Sequence, residues 1–329
     1  MTASIVGLGS YLPEKILSNR DLEAMVETSD EWITARTGIK ERRIAREGEI
    51  TSDMGIRAAS AALKDAGMEA AEIDMILVAT MTPDYFCPST AAVIQNGLGA
   101  KDVPAVDLLA ACTGYLYALS SAKAYVESGI YKNVLIVASE KMSAFTDFSD
   151  RTSCVLFGDG AAAAVVSSRR GGLQIQSVEL GADGSLADLI IVPGGGAKKP
   201  ATLDTVNGRE HYVRLKGKEV FKHAVRRMAS SATNCLDKMG LKDSDISWFV
   251  PHQANGRIID ALAKHLEIPE EKIFRCIEKY GNTSASSIGI ALGDLLNENK
   301  LSPGDNLLLV AFGGGLTWGS ALLTKVEYE

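Results

Sequence analysis

The 329-residue chain is poor in the groups that usually advertise a metal or redox site: it has four histidines and five cysteines. The cysteines, Cys87, Cys112, Cys154, Cys235 and Cys276, are widely spaced and form no C-x-x-C pair. Zinc-ribbon and thioredoxin chemistry therefore lack support. An odd count of scattered thiols also argues against a disulfide framework and points to a reducing, cytoplasmic setting. No apolar run approaches the roughly 18–20 residues of a membrane span. The N-terminal "MTASIVGLGSYLPE" lacks the basic-then-apolar plan of a secretory signal and reads as a strand followed by a turn. Basic residues are in deficit, 34 against 41 acidic, giving a net charge of −7. That excludes a general nucleic-acid binder, which needs a basic face for phosphate. Low-complexity tracts are absent; "PGGGAKKPAT" at 193–202 reads as a mobile loop.

What is present is a large apolar fraction, 46%, arranged in alternating elements. "MILVAT" (75–80), "NVLIVAS" (133–139), "WFVPH" (248–252) and "NLLLVAF" (306–312) read as buried strands. "TSDMGIRAASAALKDAG" (51–67) reads as an amphipathic helix stopped by glycine, and "GRIIDALAKHLEI" (256–268) as another. The alternation predicts an α/β fold with mostly parallel sheets. The pattern also repeats: "NVLIVA" at 133–138 matches "NLLLVA" at 306–311, 173 residues on, and "DMILVATMTP" at 74–83 echoes "DISWFVPHQA" at 245–254. Each half closes on a glycine turn and a strand, "FGDGAAAAVV" (157–166) and "FGGGLTWGSALLTKV" (312–326). These matches predict a duplication with halves 1–172 and 173–329, joined at "SSRRGG".

Three stretches carry chemistry. In "LLAACTGYLYAL" (108–119), Cys112 sits at a turn-to-helix junction, where backbone N–H groups and the helix dipole favour a thiolate. Gly114 beside it would leave room for a substrate. A free cysteine is more often a small core residue, so position alone does not settle its role. In "VPHQANGR" (250–257), His252 follows a strand and precedes a helix, at the rim where α/β sheets bind ligands. The other histidines, His211, His223 and His265, lie among polar residues and are expected to face solvent. "YGNTSAS" (280–286) is by itself a polar helix cap. The glycines 313–315 are by themselves a turn, or a source of an N–H for an oxyanion.

Taken in order, "AACTG", "PHQAN", "GNTSAS" and "FGGGLTWGSA" resemble ketoacyl synthase III, the initiating condensing enzyme of dissociated fatty-acid synthesis. "GLGSYLPE", "DEWITARTGIKERR" (30–43) and "FGDGAAA" extend the resemblance over essentially the whole chain. It implies a thiolase-like fold, two βαβαβαββ halves stacked in five αβαβα layers, usually as a homodimer. By the same resemblance, Cys112 takes the acyl group of a short acyl-CoA. His252 and Asn282 receive malonyl-acyl carrier protein and stabilise the enolate left by decarboxylation. The backbone N–H groups of Cys112 and Gly314 form the oxyanion hole for the acyl carbon. Thr28, Trp32, Arg36, Arg151 and Asn255 match coenzyme A contacts, with the adenine between Trp32 and Arg151. Lys222, Arg257 and Lys264 match the docking residues for the acidic carrier, within reach of a basic stretch at 209–227 that holds seven Arg/Lys. Phe86 and Cys87, in "DYFCPSTAA" (84–92), match the loop that crosses the dimer to close the partner's acyl pocket. Cys87 stands where some acetyl-preferring relatives hold phenylalanine, so a deeper pocket is expected. No metal and no cofactor are implied, and no nucleic acid or membrane partner. Asn282 separates the chain from elongating synthases, which use two histidines, and from thiolases, which use a second cysteine. A secondary-metabolism condensing enzyme of the same fold is the alternative. A papain-like hydrolase shares the Cys-His-Asn order but not the local cysteine signature.

Overall fold

The computed structural model describes residues 1–298 and 300–327. Nine strands form its main sheet: β1 (Ser4–Tyr11), β2 (Met75–Ala79), β3 (Ala105–Leu108), β4 (Asn133–Glu140), β5 (Gly160–Ser167), β6 (Gly172–Ala182), β7 (Trp248–Pro251), β8 (Asn306–Gly313) and β9 (Thr317–Val326). Their spatial order is β7-β8-β9-β6-β1-β5-β4-β2-β3. Every residue of β2 and β5 is buried, because both faces of the sheet are covered; such strands read as continuous apolar runs.

The helices used below are α1 (Asp30–Thr37), α2 (Thr51–Ala66), α3 (Thr90–Gly97), α4 (Gly114–Glu127), α5 (Gly217–Lys238), α6 (Gly256–His265) and α7 (Ser287–Asn297). α2 ends where the sequence predicts, at Gly67 in the left-handed conformation (φ +60°). It lies so close to β1 that a Cβ at Gly9 would fall 2.3 Å from the Ala58 carbonyl oxygen; this explains the glycines of "VGLGS". α2 and α3 cover the outer face of β1, β2, β4 and β5. α4 and α7 fill the space between the two half-sheets. α5 and α6 cover β7, β8 and β9. The layers are therefore αβαβα, with two similar halves.

The repeat is visible in the coordinates. β2 and β7 begin at 75 and 248, and β4 and β8 at 133 and 306, each pair 173 apart. Ala111 (φ +45°) and Ser284 (φ +52°) are separated by 284 − 111 = 173 as well. Each opens a short 3₁₀ turn that runs into a buried helix, and positive φ is uncommon for residues with a Cβ.

Two expectations need correction. The sheet is mixed: pairing is parallel only at β2–β3, β2–β4 and β7–β8, and antiparallel at the other junctions. The strand after each glycine turn folds back on its predecessor, and the halves meet antiparallel through β1 and β6, which alternation of strands and helices does not reveal. The run 256–268 is helical only to His265; Leu266 and Ile268 remain buried beyond its end.

Candidate active site

The two 3₁₀ turns and the end of β7 converge on a cavity of about 580 Å³ whose lining includes Cys112, His252, Asn282, Asn255 and Gly314. Each half supplies part of it. Cys112 enters from the turn before α4. Its sulfur lies 3.6 Å from the Ser284 hydroxyl. Gly313 presses against it from β8: a Cβ there would fall 2.8 Å from the Cys112 nitrogen. The neighbouring Gly314 faces the same space.

His252 is 3% exposed. Its backbone is held by Val310 (N to O, 2.8 Å), and its Nδ1 lies 2.5 Å from the Ser287 hydroxyl. The Gln253 N–H also faces that oxygen, at 3.4 Å. With the Ser287 hydroxyl as the donor to Nδ1, the imidazole carries its hydrogen on Nε2. Burial holds the imidazole down to about 3, far below the ordinary histidine value, so it is neutral at physiological pH.

Asn282 is held by the other half of the chain. Its N–H donates to the Leu156 carbonyl at 2.8 Å, and its own carbonyl accepts from Gly158 at 3.0 Å. Its side-chain oxygen accepts from the Ser284 N–H at 2.8 Å. With that oxygen engaged, the amide NH₂ is the group left to act as a donor. A neutral imidazole N–H and an amide N–H on one apolar cavity can stabilise an oxyanion without bringing in a charge.

Cys112 departs from expectation. Burial pushes its thiol up to about 12, with Glu140 adding to the rise and the Ser284 hydroxyl opposing it. Desolvation at the foot of the cavity therefore favours the thiol in the ligand-free chain. Gly114 also does not open space for a substrate. A Cβ there would meet Ala79 Cβ at 2.8 Å and Ala285 Cβ at 3.3 Å, so its smallness lets α4 pack against β2 and the second turn.

Around the mouth, Trp32 is half-buried on α1, with the Arg151 guanidinium 4.3 Å and that of Arg36 5.9 Å from its ring centre. Arg151 donates to the Glu27 carbonyl at 2.9 Å. The neighbouring Thr28 hydroxyl oxygen is buried without a hydrogen-bond partner. Asn255 caps α6 and donates to the Arg36 carbonyl at 3.2 Å, tying this cluster to the cavity wall. Lys222, Arg257 and Lys264 are all exposed on the adjoining α5 and α6. The Arg257 guanidinium lies 5.9 Å from the ring centre of Phe221, next to Lys222.

The basic stretch 209–227 is not one free surface. Arg209 is paired with Asp147, Lys216 with Asp188 and Arg227 with Asp183. His211 is half-buried against Thr205 at 2.9 Å, and His223 is half-buried too; only His265 is fully at the surface. Of the pocket candidates, Phe86 is 91% exposed and reaches the cavity rim. Cys87 is exposed and does not line the cavity of its own chain.

Sequence reasoning missed Glu140, Ser284, Ser287 and Gln253. The Gln253 amide is buried, accepting from the Cys276 and Ile277 N–H groups and donating to the Pro251 carbonyl. It locks the backbone next to His252. The serines were in view within and just after "GNTSAS" but carry no spacing signal of their own.

A duplicated, five-layered sheet sandwich with a thiol, a neutral histidine and an asparagine on one cavity defines a condensing enzyme of the thiolase-like class. Family models described as 3-oxoacyl-[acyl-carrier-protein] synthase III and its C-terminal portion match residues 106–184 and 236–325. A beta-ketoacyl-[acyl-carrier-protein] synthase III of Chlamydia caviae is 58% identical over 326 residues, 99% of this chain and 97% of its own. The crystal structure of 3-oxoacyl-[acyl-carrier-protein] synthase III from Aquifex aeolicus superposes with a TM-score of 0.91 at 48% identity, covering 98% of this chain and 99% of that one. The priming beta-ketosynthase of the R1128 polyketide pathway gives 0.91 at 37% identity, covering 100% and 97%. The chain belongs to the beta-ketoacyl-[acyl-carrier-protein] synthase III family, the acyl-transferring enzymes that carry out the initiating condensation of type II fatty-acid synthesis.

Proposed function

We propose that Cys112 accepts the acyl group of a short acyl-CoA and that the acyl-enzyme condenses with malonyl-acyl carrier protein. The observation that carries this reading is the convergence of Cys112, His252 and Asn282 on one apolar cavity. The Cys112 sulfur attacks the thioester carbonyl, and the N–H groups of Cys112 and Gly314 receive the oxyanion. Coenzyme A leaves. Malonyl carrier then enters, and loss of CO2 leaves an enolate whose oxygen is met by His252 Nε2–H and the Asn282 amide. The enolate carbon attacks the acyl carbon, releasing 3-oxoacyl carrier protein and Cys112. The reading needs no resident metal or cofactor.

Coenzyme A fits the Trp32 cluster, because an aromatic face and a guanidinium form a stacking site for a purine. In this reading the adenine displaces Arg151 from the Glu27 carbonyl, and the unpartnered Thr28 hydroxyl gains a ligand contact. Asn255 lies along the path from that cluster to Cys112. Lys222, Arg257 and Lys264 dock the acidic carrier. The protein acts as a cytoplasmic homodimer, the second copy adding at β3, the last strand of the sheet, where Val106, Leu109 and Phe86 expose apolar surface. Phe86 and Cys87 then reach the partner's acyl pocket. We place the boundary between the halves at 172/173, at the start of β6.

The test is CO2 release from malonyl carrier coupled to consumption of acyl-CoA. Release that requires both substrates and yields 3-oxoacyl carrier supports the reading. Turnover with another acyl acceptor, and none with malonyl carrier, rejects it.

A further inference from the structure

We infer that Ser284 and Glu140 form a proton store for Cys112, taking the thiol proton when the acyl group is loaded and returning it when condensation expels the sulfur. The inference rests on the reading of Cys112 as the acyl acceptor and adds how its proton is handled.

The Cys112 sulfur, the Ser284 hydroxyl and the Glu140 carboxylate form a chain, 3.6 Å and then 3.0 Å long. Glu140 is fully buried at the end of β4. Its carboxylate accepts from the Thr82 hydroxyl at 2.6 Å, the Thr80 hydroxyl at 3.2 Å and the Met81 N–H at 3.1 Å. These neutral donors come from the segment after β2. The neighbouring Lys141 ammonium turns away and donates to the Glu49 carbonyl at 2.6 Å. From the second 3₁₀ turn comes Ser284, and through it the Cys112 thiol, the titratable group coupled to this carboxylate. Among the described residues no basic side chain pairs with this carboxylate, which makes it a candidate acid–base group rather than half of a structural ion pair. Desolvation raises it to about 7, despite its hydrogen bonds, so it can hold or release a proton at working pH. Ser284 is placed by its unusual backbone: at φ +52° its N–H donates to the Asn282 side-chain oxygen, while its hydroxyl accepts from the Cys112 thiol and donates to Glu140.

The steps balance. During loading, the S–H proton passes to Ser284 Oγ while the Ser284 proton passes to Glu140. The sulfur lone pair forms the new C–S bond. The C–S bond to coenzyme A then breaks, and the departing thiolate takes a proton from solvent. During condensation, the C–C bond forms, the Cys112 C–S bond breaks, and the sulfur leaves as a thiolate. Glu140 returns its proton through Ser284, restoring the thiol. Over the cycle Glu140 and Ser284 are unchanged, and one solvent proton is consumed, on coenzyme A.

The experiment is rapid-quench mass spectrometry of acyl-CoA loading on Cys112 across pH, for the wild type, Glu140→Gln, Glu140→Asp and Ser284→Ala, each checked by thermal unfolding. In the wild type the loading rate should rise with pH and level off above about 7, because there the proton moves within the protein. In Glu140→Gln the thiol proton must go to solvent, so the rate should keep climbing about tenfold per pH unit past that point. Glu140→Asp should restore levelling. Ser284→Ala keeps the carboxylate and loses the bridge; it should slow loading at neutral pH by about 10²-fold, the scale of a lost acid–base group. Glu140→Gln levelling off at the same pH as the wild type overturns the inference. Should Glu140→Gln fail to fold, Ser284→Ala decides: loading at the wild-type rate overturns it. A wild type with no adduct on Cys112 removes the functional reading and the store together, whereas normal loading with unchanged variant profiles removes the store alone.

Discussion

Replacing Ser287 by alanine isolates what fixes the histidine. The Ser287 hydroxyl lies 2.5 Å from His252 Nδ1, and the ring is 3% exposed, so no water readily replaces it. Leaving a buried polar nitrogen unpaired costs about 1–3 kcal/mol. With the Ser287 hydroxyl as donor, that free energy also holds the hydrogen on Nε2, where the enolate of the proposed reaction needs it. At about 1.4 kcal/mol per tenfold, Ser287→Ala should slow decarboxylation and condensation by about 5- to 150-fold. In the proposed reaction acyl loading does not use His252, so it should change by less than about twofold, a margin below what one lost hydrogen bond produces. Because burial keeps His252 down to about 3, the defect should be constant between about pH 6 and 8; neither protein has an imidazolium to lose there. Ser287→Thr, which keeps a hydroxyl, should recover much of the rate. The assays are CO2 release from malonyl carrier and single-turnover loading, run in parallel. Equal losses in both half-reactions, or no loss in CO2 release, would refute the reasoning.

Arg257→Glu should raise the apparent KM for malonyl carrier and leave acyl-CoA loading nearly unchanged, and added salt should weaken the wild type in the same way; unchanged carrier kinetics would reject the docking site. Cys87→Phe should narrow the primer range towards acetyl-CoA, because each methylene lost from the pocket forfeits about 0.8 kcal/mol of burial. The check is kcat/KM across a series of acyl-CoA lengths, and an unaltered profile would show that another residue closes the pocket. Glu140 gives a stability signature as well. Its folded value is raised from 4.5 to about 7, so its contribution is full below about 4.5 and is lost as pH rises through 7. The melting temperature of Glu140→Gln should therefore fall less than that of the wild type between those pH values; parallel curves would contradict it.

The strands at 75, 133, 248 and 306 were legible because burial on both faces leaves continuous apolar runs. The spacing of 173 was legible in the match of 133–138 to 306–311, because each half must bury the same kind of sheet, whereas the match of 74–83 to 245–254 fell two residues short of the register between β2 and β7. Cys112, His252 and Asn282 were found at strand ends and turns, where a side chain can leave the sheet for a cavity. The antiparallel closing strands were not legible, since strand direction depends on how each glycine turn folds back. Gly114 was misread: its smallness answers to Ala79 and Ala285, a contact that only the packed halves create. The same limit hid Glu140 and Ser284, which lie 144 residues apart and meet at 3.0 Å. One glutamate at a strand end and one serine among several carry no periodicity. The basic stretch at 209–227 showed its charge but not its partners, because Asp147, Asp183 and Asp188 come from elsewhere in the chain.

The central claim is that Cys112 carries the acyl group, and mass spectrometry of the protein after exposure to acyl-CoA tests it most directly. The account predicts a single acyl adduct that maps to Cys112, disappears when malonyl carrier is added, and leaves 3-oxoacyl carrier in its place. An adduct on Cys87, Cys154, Cys235 or Cys276 instead, or condensation that proceeds in Cys112→Ala at the wild-type rate, would contradict it.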